Sequence, residues 1–144
     1  MIEKDTIRLL RECDAGVKMG VSSINDVIGY VHAPALKNTL TVSREEHEKL
    51  GREIRSALDR FRDSGKDPNP VAQSMSGITT GIKLTIHSSD KTVADLMTEG
   101  GNMGVKSLSR YLNEYKAADE SSRDIARRLI RLEERLVDDV KGYL

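Results

Sequence analysis

The chain has 144 residues, of which 38% are hydrophobic and 32% are charged, and its 23 basic residues balance its 23 acidic ones. This length suits one domain with a substantial core, and the zero net charge gives no electrostatic reason to expect nucleic acid or an anionic membrane as a partner. The single cysteine excludes an intrachain disulfide and a thiolate metal cluster. The first residues lack the apolar run of a signal peptide and no stretch resembles a membrane span, so we expect a cytoplasmic protein.

Apolar residues at three- and four-residue intervals predict a first helix from about Asp5 to Val31, with Asp5 and Thr6 as candidate N-caps. Pro34 is well suited to begin a second helix, which the same spacing extends to about Asp63. The buried stripe of this second helix is predicted to comprise Leu36, Leu40, Ser43, His47, Leu50, Ile54, Ala57 and Phe61.

The segment after the second helix is the ambiguous part of the chain. Ser64 and Gly65 are expected to end the helix. Within residues 71–87, the run KLTIH alternates like a strand, but a lone short strand would have no pairing partner. We therefore interpret residues 71–87 as a weak helix or a helical crossover.

Two further helices are predicted, from about Asp90 to Lys116 and from about Ser122 to Gly142, with Ser88, Ser89 and Asp90 supplying an N-cap for the earlier one. The third helix should bury Val93, Met97, Gly100, Gly104, Leu108, Tyr111 and Tyr115. The fourth should bury Ile125, Leu129, Leu132, Leu136, Val140 and Tyr143. Its solvated outer face is predicted to carry Arg123, Arg127, Arg128, Arg131, Glu133, Glu134 and Asp138.

Two segments of the chain are alike: GVKMGVSSI at residues 16–24 and GGNMGVKSL at residues 100–108. Each lies in a predicted helix that is followed by another helix, which indicates a helical hairpin used twice. We therefore predict an all-α fold, an antiparallel four-helix bundle in a single domain. Its hairpins lie at about residues 5–64 and 90–144, and a long crossover at about residues 65–89 joins them.

Four glycines recur at equivalent positions of the repeat: Gly16, Gly20, Gly100 and Gly104. Each interior glycine destabilises a helix by about 1 kcal/mol relative to alanine, so their recurrence indicates a compensating gain. We predict that they let the first and third helices approach closely, because an absent Cβ removes the main obstacle to such contact. The alternative is that they soften or kink the helices around a cavity.

The order of a long hairpin, a crossover and a second long hairpin resembles the ferritin-like superfamily, and in particular small uncharacterised bacterial four-helix proteins related to rubrerythrin. Members with a di-iron site carry a Glu on the first and third helices and Glu-x-x-His on the second and fourth, all pointing inward. His47 lies where the resemblance would place a ligand histidine, but Arg44 stands three residues before it instead of a Glu.

The other ligand positions implied by the resemblance also lack the expected residues. Antiparallel pairing of the first two helices places Lys18 opposite His47, and the repeat maps Lys18 onto Asn102. In the fourth helix Leu136 matches His47, with Glu133 three residues before it. Because a di-iron site needs several carboxylates, we do not expect one. A single ion bound through His47 stays open as an alternative.

The polar residues predicted near this level suggest a ligand pocket inside the bundle. Its candidate lining residues are Asp14, Lys18, His47, Asn102 and Lys106. The alternative is that Lys18 and Lys106 extend from the bundle edge to solvent, while His47 bonds a carbonyl or Asp14.

The sequence thus favours a protein without a cofactor that is not an enzyme and acts as an interaction or scaffold protein. Its expected partner is a second copy of itself, as a dimer, or another protein. One alternative is a metal-binding protein or oxidoreductase with a degenerate metal site. Another is a small-ligand binding module that uses the polar interior of the bundle.

Overall fold

The computed structural model describes residues 2–68 and 89–144, and within these ranges the chain is helical, without a strand. The helices are α1 (Ile2–Ile28), α2 (Pro34–Asp59), α3 (Asp90–Glu114) and α4 (Glu120–Val140), and a 3-10 turn follows at Lys141–Tyr143. None of these helices combines the length and the apolar character that crossing a bilayer requires. The predicted crossover at 71–87 and the capping role of Ser88 lie outside the described residues.

The start of α3 is capped as predicted and is tied to the connection between α1 and α2. The Ser89 hydroxyl accepts a hydrogen bond from the Thr92 amide at 3.2 Å, which satisfies one of the unpaired amides of the first turn. The two carboxylate oxygens of Asp90 accept hydrogen bonds from the amides of His32, at 2.7 Å, and Ala33, at 3.0 Å. The start of α3 therefore lies beside residues 29–33.

The prediction that Asp5 and Thr6 cap α1 is wrong, because both residues lie inside the helix. Their side chains bond instead to the connection between α3 and α4. Asp5 Oδ2 accepts a hydrogen bond from the Ala117 amide at 3.0 Å, and Thr6 Oγ1 accepts one from the Asp119 amide at 2.8 Å. Short polar side chains thus satisfy backbone amides of a distant turn rather than those of their own helix.

The second helix ends four residues earlier than predicted, at Asp59 instead of Asp63. Arg62 has a φ of 56°, in the left-handed region, and the Asp63 amide donates to the Leu58 carbonyl at 3.1 Å. This is the pattern in which a left-handed residue closes a helix C-terminus. The expected stop at Ser64–Gly65 follows the helix end, where Gly65 has a φ of 84°.

The helices pack through α1–α2, α3–α4, α1–α3 and α2–α4 contacts, and α1 also contacts α4. The predicted stripes of α2 and α4 are confirmed as buried, except that Phe61 and Tyr143 lie beyond the helix ends and are partly buried. One apolar cluster contains Leu9, Leu10, Cys13, Val17, Leu50, Ile54, Ala57, Leu58, Leu108, Ala118, Ile125, Ala126, Leu129 and Leu132. The other contains Ile24, Val27, Leu36, Leu40, Val93, Ala94, Met97, Leu136 and Val140.

A layer of polar and small residues separates these two clusters along each of the four described helices. We call it the midline layer, and it consists of Gly20, Ser43, His47, Gly101, Gly104 and Glu133. Each of these residues stands in sequence between a member of one cluster and a member of the other. The hydrophobic core is therefore interrupted in the middle of the bundle.

Cys13 lies in the first cluster and is fully buried. Burial, together with the negative charges of Glu12 and Asp14, raises the pKa of its thiol to about 12. Because the thiolate is the reactive form, we expect a disulfide reagent such as DTNB to leave Cys13 unmodified in the folded protein and to titrate it rapidly in denaturant. Rapid modification of the native protein would contradict the packing described here.

Candidate functional site

His47 is the central side chain of the midline layer. It stands on the buried stripe of α2 and is 0% exposed. Its Nδ1 lies 2.7 Å from the carbonyl oxygen of Ser43, one turn earlier on the same helix. Its Nε2 lies 2.7 Å from Oε1 of Glu133 on α4. Both ring nitrogens are therefore held by protein oxygens, which fixes the plane of the imidazole.

The placement of Glu133 corrects a prediction. The sequence pattern assigned this residue to the solvated face of α4, but it is buried, with 7% of its surface exposed. Glu133 stands four residues after Leu129 and three before Leu136, so it shares their face of the helix. That spacing was the available signal, and the carboxylate is tolerated there because His47 supplies a hydrogen-bond partner.

Glycines on α1 and α3 make room for this pair. A Cβ at Gly20 would lie only 2.6 Å from Cδ2 and 2.7 Å from Nε2 of His47. A Cβ at Gly104 would lie 3.5 Å from both Cγ and Cδ of Glu133, which is ordinary van der Waals contact, whereas one at Gly101 would lie only 2.5 Å from Cγ2 of Val137 on α4. The imidazole therefore occupies space that a side chain at Gly20 would otherwise fill, while the Glu133 carboxylate lies in ordinary contact with the glycines of α3.

This arrangement departs from the predicted close approach of α1 and α3 through Gly16, Gly20, Gly100 and Gly104. Among the described residues, a Cβ at Gly100 would meet nothing within 4 Å, and the neighbouring Gly101 is the buried residue. Gly16 faces side chains of Leu129 and Leu108, at 3.4 and 3.9 Å. The glycines accommodate side chains of α2, α3 and α4 rather than bringing two backbones together.

The two partners of the imidazole also determine how many protons the site holds. A backbone carbonyl can only accept a hydrogen bond, and an ionised carboxylate likewise only accepts. With Ser43 O at Nδ1 and Glu133 Oε1 at Nε2, both hydrogen bonds exist only if each contact contains a proton. His47 and Glu133 together then carry no net charge, which is the form that a buried site favours.

The pKa of His47 follows from opposing causes. Burial alone would lower it, because a low dielectric disfavours the imidazolium. The hydrogen bond to Glu133 and its charge, the bond to the Ser43 carbonyl and the charge of Glu46 together outweigh burial, so the pKa of His47 is raised. A group whose pKa is raised by folding stabilises the folded state fully below the unfolded value, and this stabilisation is lost as pH rises through the folded value.

We therefore expect the free energy of unfolding to fall as pH rises above about 6.5, the ordinary histidine value. The slope contributed by His47 reaches at most about 1.4 kcal/mol per pH unit, which corresponds to one proton. Urea unfolding of the wild type and of His47→Gln between pH 6 and 9 measures this contribution as the difference between the two curves. Parallel curves over this range would show that the histidine takes up no proton on folding.

The other residues of the predicted pocket do not join His47. Lys18 lies at the bundle edge, where its Nζ is 2.9 Å from Asp14 Oδ2 and 3.0 Å from Asp67 Oδ1. Asn102 and Lys106 on α3 are exposed. The five residues thus do not come together around His47, since α3 presents glycines to the midline and turns Asn102 and Lys106 to solvent. The pairing of Lys18 with Asp14 follows the expectation for an i,i+4 pair.

The midline layer has a limited range of chemistry. Within residues 2–68 and 89–144, no group of three or more His, Cys, Asp or Glu side chains is placed to hold a metal ion. Comparisons with protein-family models, curated proteins and solved structures find no significant match to this chain. Both ring nitrogens of His47 lie within hydrogen-bond distance of protein oxygens, so a metal ion would have to displace one of these two hydrogen bonds to bind the imidazole.

A second polar cluster surrounds Asp14, which is 4% exposed and fixes the chain after α2 against α1. Its Oδ2 accepts from the Lys66 amide at 2.9 Å, and its Oδ1 lies 3.6 Å from Arg55. Gly65 makes this contact possible, because any Cβ there would collide with the Asp14 carboxylate. The buried Asp14 carboxylate thus accepts a hydrogen bond from a backbone amide and pairs with two cations, Lys18 and Arg55.

Replacing Asp14 with alanine is expected to destabilise the protein by about 1–3 kcal/mol, because it leaves the Lys66 amide without its acceptor. Asp67→Ala is the matched control, since Asp67 also pairs with Lys18 but its side chain is 86% exposed. It should change the free energy of unfolding by less than about 1 kcal/mol. Equal effects of the two substitutions in chemical unfolding would refute a special role for Asp14.

Proposed function

We propose that this chain is a non-catalytic protein with an antiparallel four-helix bundle of the ferritin-like type, which lacks the di-iron ligand set and acts through contacts with protein, including a second copy of itself. The antiparallel arrangement is supported by the short connections at residues 29–33 and 115–119. The hydrogen bonds that join Asp90 to Ala33 and Asp5 to Ala117 support it as well, because each links the ends of different helices.

The proposal that the chain lacks the di-iron ligand set is supported by one observation, the composition of the midline layer. A di-iron site of the ferritin-like kind requires a carboxylate from each of the four helices at one level. At the level of His47 and Glu133, α1 presents Gly20 and α3 presents Gly101 and Gly104. Among the described helices, α1 and α3 therefore supply no side-chain ligand atom at this level, and the imidazole is hydrogen-bonded to protein on both sides.

Surface residues support a role in protein contacts. Met103 on α3 is 69% exposed, and Val42 on α2 is 43% exposed. Methionine is a flexible apolar residue that suits adaptable contact surfaces. The remaining surface carries many ion pairs, such as Arg128 with Glu53 and Arg135 with Glu46. Such charged surfaces contribute selectivity to protein contacts more than affinity.

Two measurements test this function. Protein purified from medium supplemented with iron, manganese and zinc should contain far less than one equivalent of metal. Sedimentation velocity over a range of concentrations should show a mass that rises with concentration. Stoichiometric metal that is lost in a folded Glu133→Gln variant would overturn the non-metal proposal. A constant monomer mass, together with failure to bind any other protein, would overturn the contact role.

A further inference from the structure

Ser43 presents two different groups to the same nitrogen of His47. Its carbonyl oxygen lies 2.7 Å from Nδ1, and its hydroxyl oxygen lies 3.5 Å from Nδ1. The carbonyl can only accept a hydrogen bond, whereas the hydroxyl can also donate one. One residue is thus able to satisfy Nδ1 both when this nitrogen carries a proton and when it does not.

Ser43 also connects the buried pair with the surface. It lines a groove of about 170 Å³ between α2 and α4. The other lining residues are Asn38, Thr39, Val42, Glu46, Leu132, Arg135, Leu136 and Asp139. His47, by contrast, has no exposed surface. Ser43 is therefore a residue that both contacts Nδ1 and lines the groove.

We propose that Ser43, His47 and Glu133 form a two-state proton switch, in which the Ser43 carbonyl holds the protonated Nδ1 and the Ser43 hydroxyl takes over when that proton has left. In the first state Nδ1–H donates to the carbonyl and Nε2–H donates to Glu133. In the second state Ser43 Oγ–H donates to the lone pair of Nδ1, and Nε2–H keeps its bond to Glu133.

The step between the two states is a simple deprotonation. The Nδ1–H bond breaks, its electron pair stays on Nδ1, and the proton goes to water or hydroxide in the groove. His47 and Glu133 together change from no net charge to one negative charge. The Ser43 hydroxyl then turns its proton toward Nδ1. The distance from Oγ to Nδ1 is 3.5 Å, and a small side-chain adjustment shortens it to that of an ordinary hydrogen bond.

Within residues 2–68 and 89–144, the surroundings of the switch come from α1, α2, α3 and α4. From α2, Glu46 acts on His47 through its charge, and Arg135 of α4 pairs with Glu46 at 3.0 Å. Glu133 of α4 is the carboxylate in direct contact. The helices α1 and α3 present the uncharged Gly20, Gly101 and Gly104. The two carboxylates favour the protonated state, and the Ser43 hydroxyl favours the neutral one.

Nitrogen-15 NMR of the histidine side chains as a function of pH tests the switch directly. The chain has three histidines, and His47→Gln identifies the signals of His47. In the wild type, both nitrogens of His47 should carry a proton near pH 6.5, and Nδ1 should lose its proton first as the pH rises while Nε2 stays protonated. Loss of the proton from Nε2, or a neutral ring at pH 6.5, would overturn the proposal.

Two variants test the part played by the hydroxyl. Ser43→Ala removes the donor that stabilises the neutral ring, so the titration midpoint of His47 should move up by about half a pH unit or more. Ser43→Thr keeps a hydroxyl and should leave the midpoint near that of the wild type. An unchanged midpoint in Ser43→Ala would overturn the role of the hydroxyl. Should a Ser43 variant fail to fold, the order of proton loss in the wild type still decides the question.

Discussion

Replacing either His47 or Glu133 with alanine is expected to destabilise the protein by about 3–5 kcal/mol, because the remaining partner would be a buried charge without a counterpart. The reason lies in the geometry, since the pair is joined at 2.7 Å and His47 is 0% exposed. Urea unfolding near pH 6.5, followed by circular dichroism, measures the change.

A double replacement and a surface pair serve as controls. The variant with leucine at both His47 and Glu133 should recover much of the lost stability, because a well-packed apolar pair is often as stable as a buried ion pair. Glu46 and Arg135 pair at 3.0 Å on the surface, and Glu46→Ala should cost at most about 1 kcal/mol. If His47→Ala and Glu46→Ala lowered the free energy of unfolding by equally small amounts, the pair of His47 and Glu133 would contribute no more to stability than a surface pair.

Alanine substitutions at Gly20 and Gly100 are expected to change stability in opposite directions. Gly20→Ala would place a Cβ 2.6 Å from a ring atom of His47, and overpacking of this kind costs about 1–3 kcal/mol. The ring is held by hydrogen bonds on both sides and moves only if one of them is broken. The gain in helix propensity, about 1 kcal/mol, offsets only part of this cost.

Gly100→Ala is the matched control, since both glycines lie inside their helices and a Cβ at Gly100 would meet nothing within 4 Å in the part of the chain that the structure describes. It should stabilise the protein by about 1 kcal/mol through helix propensity alone. In a His47→Ala background, the effect of Gly20→Ala should shift toward that of Gly100→Ala, which a double-mutant cycle measures. Stabilisation by Gly20→Ala in the wild type would contradict the contact between Gly20 and the imidazole.

Much of the fold follows from the spacing of apolar residues and from the residues that begin and end helices. The apolar stripes of α2 and α4, the start of α2 at Pro34 and the Ser89 cap of α3 are as predicted. Helix ends were less predictable, because they depend on contacts made elsewhere. Asp5 resembles a cap in the sequence, yet its carboxylate serves the amide of Ala117. Such a partner becomes visible only when distant segments are brought together.

The candidate site was predictable only in part. His47 was identified because it interrupts an apolar stripe, and its bond to a carbonyl was among the alternatives. Glu133 was missed, because it follows a run of outward-facing charges on α4 and charged residues are rarely buried without a partner. The error over Lys18 has a different origin. Pairing positions across a hairpin gives an approximate level but not the direction of a side chain, and Gly20 is the residue that faces His47.

The division of the core by the midline layer has a consequence for how the helices align. If α4 slid along its neighbours by one turn, about 5.4 Å, Glu133 would leave the imidazole and enter leucine-rich surroundings. Neither ionisable group would then have its partner, at a cost of several kcal/mol. Leucine stripes alone would tolerate such a shift, because each leucine would move into a position that another leucine had occupied. The buried pair of His47 and Glu133 therefore favours a single axial alignment of α2 against α4.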